Sequence, residues 1–119
     1  LPGVTKAGTR NNQPVSHVDI YPSLCDFAGV PKPDHLEGRS ILPLLRDPSA
    51  TRDFAFLSYG PQNTAAQSER YRYIRYEDGS EELYDHQKDP HEWTNLIGNK
   101  KHQPLRNKMR DRVLGFQSE

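Results

Sequence analysis

The densest group of chemistry-bearing side chains is Asp85, His86, Asp89, His91 and Glu92. Imidazoles and carboxylates in one short stretch could hold a divalent cation if three or four of them converged. Pro90 breaks the segment, however, and no His pair sits one helical turn apart. The same residues equally read as a turn whose aspartates accept backbone N–H groups. Cys25 could serve as a nucleophile or a modified residue. Its neighbours Leu24, Phe27 and Ala28 offer nothing that would stabilise a thiolate, so it reads as a small buried filler. Tyr71, Tyr73, Tyr76 and Tyr84 alternate with Arg70, Arg72 and Arg75, which could form a stacking platform for nucleic acid. Glu69, Glu77, Glu81, Glu82 and Asp85 neutralise that patch, and cross-strand Tyr and Arg–Glu pairs are ordinary sheet stabilisers. The stretch Gly60-Pro61-Gln62-Asn63-Thr64 is polar and carries amides and a hydroxyl able to contact a sugar. Loops held between rigid strands often carry binding function. No Ser/His/Asp triad, phosphate-cradling Gly loop or catalytic carboxylate pair is legible.

These groups need elements to position them. Residues 1–14 are turn-rich and read as an incoming loop. Ser16 or Asp19 can cap a helix that continues to Ala28, with Pro22 in its first turn and Gly29 at its stop. Ile20, Leu24, Phe27 and Ala28 recur at helical spacing, so they are expected to form its buried face. Ser40 introduces a second, shorter helix over Ile41–Arg46, which Asp47-Pro48 ends. A strand is expected at Asp53–Tyr59, then a polar loop over Gly60–Ala66, then a strand within Gln67–Tyr76. Tyr71 and Tyr73 share one face of it; Arg72, Ile74 and Tyr76 share the other. Asp78-Gly79 signals a hairpin to a partner strand at Glu82–Asp85. Trp93 and Leu96 are expected to fold back onto the sheet. Pro104 opens a last helix with Leu105, Met109, Val113 and Phe116 on one apolar stripe. The expected class is α+β. Two short helices precede a small antiparallel sheet of about three to four strands, and a C-terminal helix packs on one face.

Composition bounds the rest. The chain has 119 residues, enough for one domain or part of a larger one. Hydrophobic residues make up only 33%, so the core is small. Some of the large surface is expected to lie against further protein. Sixteen acids balance sixteen bases, which leaves no electrostatic footprint for nucleic acid or anionic lipid. No apolar run is long enough to span a bilayer. A single Cys excludes an internal disulfide and a Cys-rich zinc site.

The order of motifs carries a resemblance. Pro14-Val15-Ser16-His17-Val18-Asp19-Ile20-Tyr21-Pro22-Ser23-Leu24, followed by Ala28-Gly29-Val30, resembles the segment after the catalytic core of sulfatases. Leu36-Glu37-Gly38-Arg39-Ser40-Ile41-Leu42-Pro43-Leu44-Leu45 is similar to the next landmark of that family. Arg70–Tyr76, Glu82–Asp85, Asp89-Pro90-His91-Glu92-Trp93 and Asn95-Leu96 look like its C-terminal sheet motifs, most of all those of bacterial iduronate-2-sulfatase-like members. The likeness spans nearly the whole chain. It implies the C-terminal piece of an alkaline-phosphatase-like α/β sulfatase, with 1–50 ending the catalytic core and 51–119 forming the C-terminal subdomain.

The resemblance further implies a periplasmic or secreted parent that uses calcium and a formylglycine made within a C-x-P-S-R motif. Here Cys25 is followed by Asp26, Phe27 and Ala28, so neither catalytic nor metal-binding residues are carried over. What is carried over is position. The strand–loop–strand unit would border the substrate cleft, which makes Tyr59, Gln62, Asn63 and Thr64 the expected contacts to a sulfated carbohydrate. The implied partner is the N-terminal sulfatase core, and self-association through the surface meant for it is a further expectation. The alternative is a stand-alone carbohydrate-binding or protein-interaction module without hydrolase activity.

Overall fold

The computed structural model describes residues 2–117, which fall into two compact units, Leu1–Asp53 and Phe54–Glu119.

The first unit is organised by one buried carboxylate. A 3₁₀ turn at His17–Asp19 leads directly into helix α1, Ile20–Ala28. Gly29 ends α1 at φ 66°, the left-handed stop expected of it. The Asp19 carboxylate reaches back to the Ser16 N–H at 2.8 Å as the third residue of a capping box, whereas as N-cap of α1 itself Asp19 makes no side-chain cap bond. It also accepts the Arg39 N–H at 2.8 Å and is paired with the buried Arg52 guanidinium. Arg52 spends its other nitrogen on the carbonyls of Arg39 and Ser40, at 3.0 and 3.1 Å. The Ser23 hydroxyl joins this network by donating to the Asp19 carbonyl and accepting the Ile41 N–H. Helix α2, Leu42–Arg46, follows, and the Ser40 hydroxyl accepts the Leu42 N–H.

This network reverses the expectation for α1. Pro22, Ser23 and Cys25 are the residues it buries. Ile20, Leu24 and Ala28 face outward, and Phe27 is only half-buried. Apolar periodicity identified a stripe correctly but not the side on which this unit lies. Buried polar groups must be satisfied, and the bonds to Asp19 and Ser23 take the opposite side of the helix inward. Gly38 shows how tight that side is: a Cβ there would lie 1.9 Å from the Val18 carbonyl oxygen.

The second unit is an antiparallel sheet in sequence order, β1 Ala55–Tyr59, β2 Asn63–Gln67, β3 Tyr71–Arg75 and β4 Glu81–Asp85, with helix α3, Gln103–Gln117. The expected loop over Gly60–Ala66 is corrected here. Only Gly60–Gln62 form a turn, and Asn63–Gln67 form an interior strand between β1 and β3. Ala65 and Ala66 have weak strand propensity, and they are buried with Thr64 by tertiary packing. The β3–β4 hairpin turns at Gly79, φ 83°, as Asp-Gly predicts.

Alternation sorts the sheet into two faces. Ala66, Tyr73 and Leu83 point to one face and form the core with Phe54, Met109 and Val113; Phe56, Tyr71, Leu96, Ile97 and Leu105 pack around it. The stripe expected on α3 is therefore the buried one, and Phe116 completes it by stacking on Phe56 with ring centroids 4.6 Å apart. One ion pair fixes α3 on the sheet. Arg110 grips Glu81 with two nitrogens, each at 2.5 Å, and the Tyr73 hydroxyl donates to the same carboxylate. Past β4, the chain covers the sheet edge: Asn95 Oδ1 accepts the Leu83 N–H, and the Leu96 N–H donates to the Leu83 carbonyl. Leu96 thus folds back as expected. Trp93 does not; it is 84% exposed. Glu92 before it adopts φ 57°, with its carboxylate on Arg72 and His86, and this arrangement leaves the indole in solvent.

Two outcomes follow. Gly38→Ala should destabilise the first unit by about 3 kcal/mol, because the obstructing atom is backbone; a loss within experimental error in denaturant titrations followed at residues 18–28 would contradict this. Arg110, above all, holds the Glu81 carboxyl below its ordinary value; burial opposes the shift and the Tyr73 hydroxyl assists it. A depressed carboxyl stabilises above its unfolded value, about 4.3, and that contribution disappears as pH falls through the folded value. Acid titration of Glu81→Gln should therefore show a shallower loss of stability below that pH than the unaltered chain; identical slopes would contradict the assignment.

Candidate functional site

The β1–β2 turn is built from behind. Tyr59 and Asn63 pair across its mouth, and Gly60 turns at φ 66°. Gln117, at the end of α3, reaches up to it. Its side-chain nitrogen donates to the Gln62 carbonyl and to the Thr64 hydroxyl, both at 3.0 Å, and its oxygen accepts a 3.5 Å bond from Arg75. The Asn63 side-chain oxygen accepts the Glu77 N–H at 3.2 Å, which ties the turn to the end of β3.

The four residues expected to contact a sugar therefore have different surroundings. The Tyr59 ring is 86% exposed and free to stack on an apolar sugar face. Gln62 is exposed, and its side-chain amide has no partner among the described residues. Asn63 is half-buried, with its oxygen engaged and its two N–H donors directed away from that bond. Thr64 is buried at 2% exposure, and its hydroxyl accepts from Gln117 and lies 3.5 Å from the Ser58 hydroxyl. Thr64 thus holds the turn, while Tyr59 and Gln62 offer groups outward and Asn63 is half-buried beside them.

The Asp85–Glu92 cluster is committed elsewhere. Asp85 takes a bidentate bond from Arg70 at 2.8 and 2.6 Å, which lowers its carboxyl from the usual range. Asp89 accepts the Thr94 N–H at 2.7 Å and is likewise lowered. Glu92 bridges Arg72 and His86, and the His91 ring stacks on Trp93. The turn reading of these residues is the one the geometry shows. Among the described residues, no group of three or more His, Cys, Asp or Glu is arranged to hold a metal ion. Cys25 is buried within α1. The described residues therefore offer no cluster fitted to calcium, and Cys25, followed by Asp26, Phe27 and Ala28, does not stand in a C-x-P-S-R context.

The tyrosines do not form an open stacking platform. Tyr73 is fully buried, and desolvation together with Glu81 pushes its hydroxyl well above the ordinary value. Tyr84 is pushed up to about 12, first by desolvation and then by Glu82. Arg70 lies over the Tyr71 ring at 4.8 Å while paired with Asp85.

Compared with known proteins, residues 1–119 match the family described as N-sulphoglucosamine sulphohydrolase, C-terminal. The chain belongs to that family. A sulfatase of Formosa agariphila is 37% identical over 77% of the chain and 18% of its own length. A Δ4,5-hexuronate-2-O-sulfatase of Bacteroides thetaiotaomicron is 31% identical over 81% of the chain and 23% of its own length. Among solved structures, one described in complex with its substrate D-glucosamine-2-N,6-O-disulfate superposes with a TM-score of 0.80 at 25% identity. That match covers 98% of this chain and 26% of the other. The chain thus spans about a fifth of the length of the curated relatives it matches. It is a sulfatase C-terminal domain, and its small sheet and last helix are those of alkaline-phosphatase-like sulfatases.

Within this sulfatase domain, sequence reasoning missed Gln117 and Arg75. No local pattern links residue 117 to residue 62; only the closed packing of α3 on the sheet brings them together. Gln117→Ala should cost about 1 kcal/mol and raise amide exchange over 60–64 while leaving 82–85 unchanged. Equal exchange over 60–64 in both proteins would show that Gln117 does not hold the turn.

Proposed function

We propose that this chain is the C-terminal part of a longer sulfatase, in which the β1–β2 turn rims the pocket for a sulfated saccharide. The observation that carries this reading is the turn itself: exposed Tyr59 and Gln62, with half-buried Asn63 beside them, on a backbone fixed from behind by Gln117 and Thr64. Such preorganisation limits the ordering cost of binding. Tyr59 supplies a stacking face, and the two amides supply hydrogen bonds to hydroxyl or sulfate oxygens.

The family supports the substrate class. One relative is a hexuronate-2-O-sulfatase, and one solved structure holds a disulfated glucosamine. In this reading the groups that activate a nucleophile and hold calcium belong to the remainder of the longer protein. The present chain binds, orients and excludes water. A rim contact made equally in the ground and transition states lowers KM without changing kcat.

In the longer protein, Gln62→Ala and Asn63→Ala should each raise KM for a sulfated saccharide about three- to tenfold at unchanged kcat. Steady-state kinetics on that saccharide and on a small aryl sulfate form the test. Unaltered KM for the saccharide in both variants would remove the role. Purified 1–119 alone should not turn over the aryl sulfate; measurable hydrolysis would place the catalytic groups within this chain.

A further inference from the structure

Arg75 is the last residue of β3 and pairs in register with Thr64 on β2. Adjacent strands lie about 4.8 Å apart, so Arg75 stands next to the foot of the β1–β2 turn. It is half-buried. Among the described residues its guanidinium makes one bond, 3.5 Å from Nη1 to the Gln117 side-chain oxygen, at the outer limit for such a contact.

The arginines around it are placed differently. Arg70 is paired with Asp85 at 2.6 Å, Arg72 with Glu92 at 3.3 Å and Arg110 with Glu81 at 2.5 Å. The last pair matters most, because Glu81 stands directly opposite Arg75 in the β3–β4 ladder. Both Glu81 oxygens are held by Arg110, and one also accepts the Tyr73 hydroxyl. The cross-strand carboxylate that would ordinarily neutralise Arg75 is thus already spent. Glu77 and Asp78, in the turn that follows, form no ion pair with it, and the Asp78 carboxylate accepts the Ser80 N–H and hydroxyl instead. Among the described residues, no carboxylate is within ion-pairing distance of Arg75.

The position of this cation gives it a use. The Gln117 amide that Arg75 touches also holds the Gln62 carbonyl and the Thr64 hydroxyl, so the charge is one side chain away from the turn backbone. A guanidinium carries several N–H donors in a planar fork, and one long bond leaves most of that fork for an acceptor from outside. Amides such as those of Gln62 and Asn63 bond to hydroxyl and sulfate oxygens alike, whereas a guanidinium favours an oxyanion. We infer that Arg75 binds a sulfate group of the saccharide other than the one being hydrolysed, an inference that rests on the proposed function above. The hydrolysed sulfate lies with the groups that activate a nucleophile, and the described residues of this chain hold no metal-binding cluster to which it could be brought. Arg75 is thereby a specificity residue: it selects a saccharide with a further sulfate over one without.

The test uses the longer protein and two saccharides that share the hydrolysed sulfate and differ by one further sulfate. Arg75→Ala should raise KM about tenfold for the more sulfated saccharide and less than about twofold for the other, with kcat unchanged for both. Arg75→Gln keeps a donor for the Gln117 oxygen without the charge and should lose the preference as Arg75→Ala does. Arg75→Lys keeps the charge and should retain part of it. Added salt should weaken the preference of the unaltered protein and leave Arg75→Gln unchanged. Equal KM changes for the two saccharides, or a preference kept by Arg75→Gln, would show that Arg75 only supports Gln117 and would overturn the inference. Unaltered KM in Arg75→Ala would overturn it as well. The Gln62 and Asn63 variants separate the two readings: a response there with none in Arg75→Ala removes Arg75 alone, whereas silence in all three removes the role of the turn too.

Discussion

The Glu81 carboxylate is the point on which the second unit turns. It lies on β4, accepts both arms of Arg110 from α3, and accepts the Tyr73 hydroxyl from β3. Apolar contacts between Met109, Val113 and the sheet supply most of the driving force, but they are non-directional and tolerate sliding. A bidentate ion pair does not, because it fixes both distance and orientation. Two helical turns beyond Arg110, Gln117 arrives beneath the β1–β2 turn as a consequence. The shape of the β1–β2 turn is thus set from the opposite edge of the sheet, through the length of one helix.

The first unit follows the same logic with a different result. Asp19 and Arg52 are both buried, and their remaining hydrogen-bonding capacity is met by backbone groups from Ser16, Arg39 and Ser40. A buried ion pair adds little net stability when its desolvation is counted, yet removing either partner is costly. Its effect here is to select one arrangement. It decides which side of α1 lies inside, against the preference of Ile20 and Leu24 for burial.

What could be read in the sequence was local. Period and turn chemistry placed α3 with its stripe, the Asp-Gly hairpin, the faces of β3 and the Gly29 stop, because each depends on residues a few positions apart. Three features failed for one shared reason: they depend on distant residues. Asn63–Gln67 becomes a strand only when β1 and β3 flank it. The orientation of α1 follows from Arg52, more than thirty positions away from Asp19. Trp93 stays in solvent because Glu92 is held by Arg72 and His86. The candidate site divided along the same line. Gln62 and Asn63 were legible as polar residues between strands and Tyr59 as a strand end, whereas the support from Gln117 and the internal role of Thr64 were not.

In the proposed reading, a charged substrate is held in register with groups that lie elsewhere in the longer sulfatase. In that reading, an amide-bearing turn backed by a helix end meets that need without taking part in the bond-breaking step. The most direct measurement is a crystal structure of the longer protein with a sulfated saccharide bound. The account predicts a saccharide oxygen within hydrogen-bond distance of the Gln62 or Asn63 side chain, with Gln117 still bonded to the Gln62 carbonyl. A saccharide seated in the catalytic pocket with the β1–β2 turn remote from it would contradict the account.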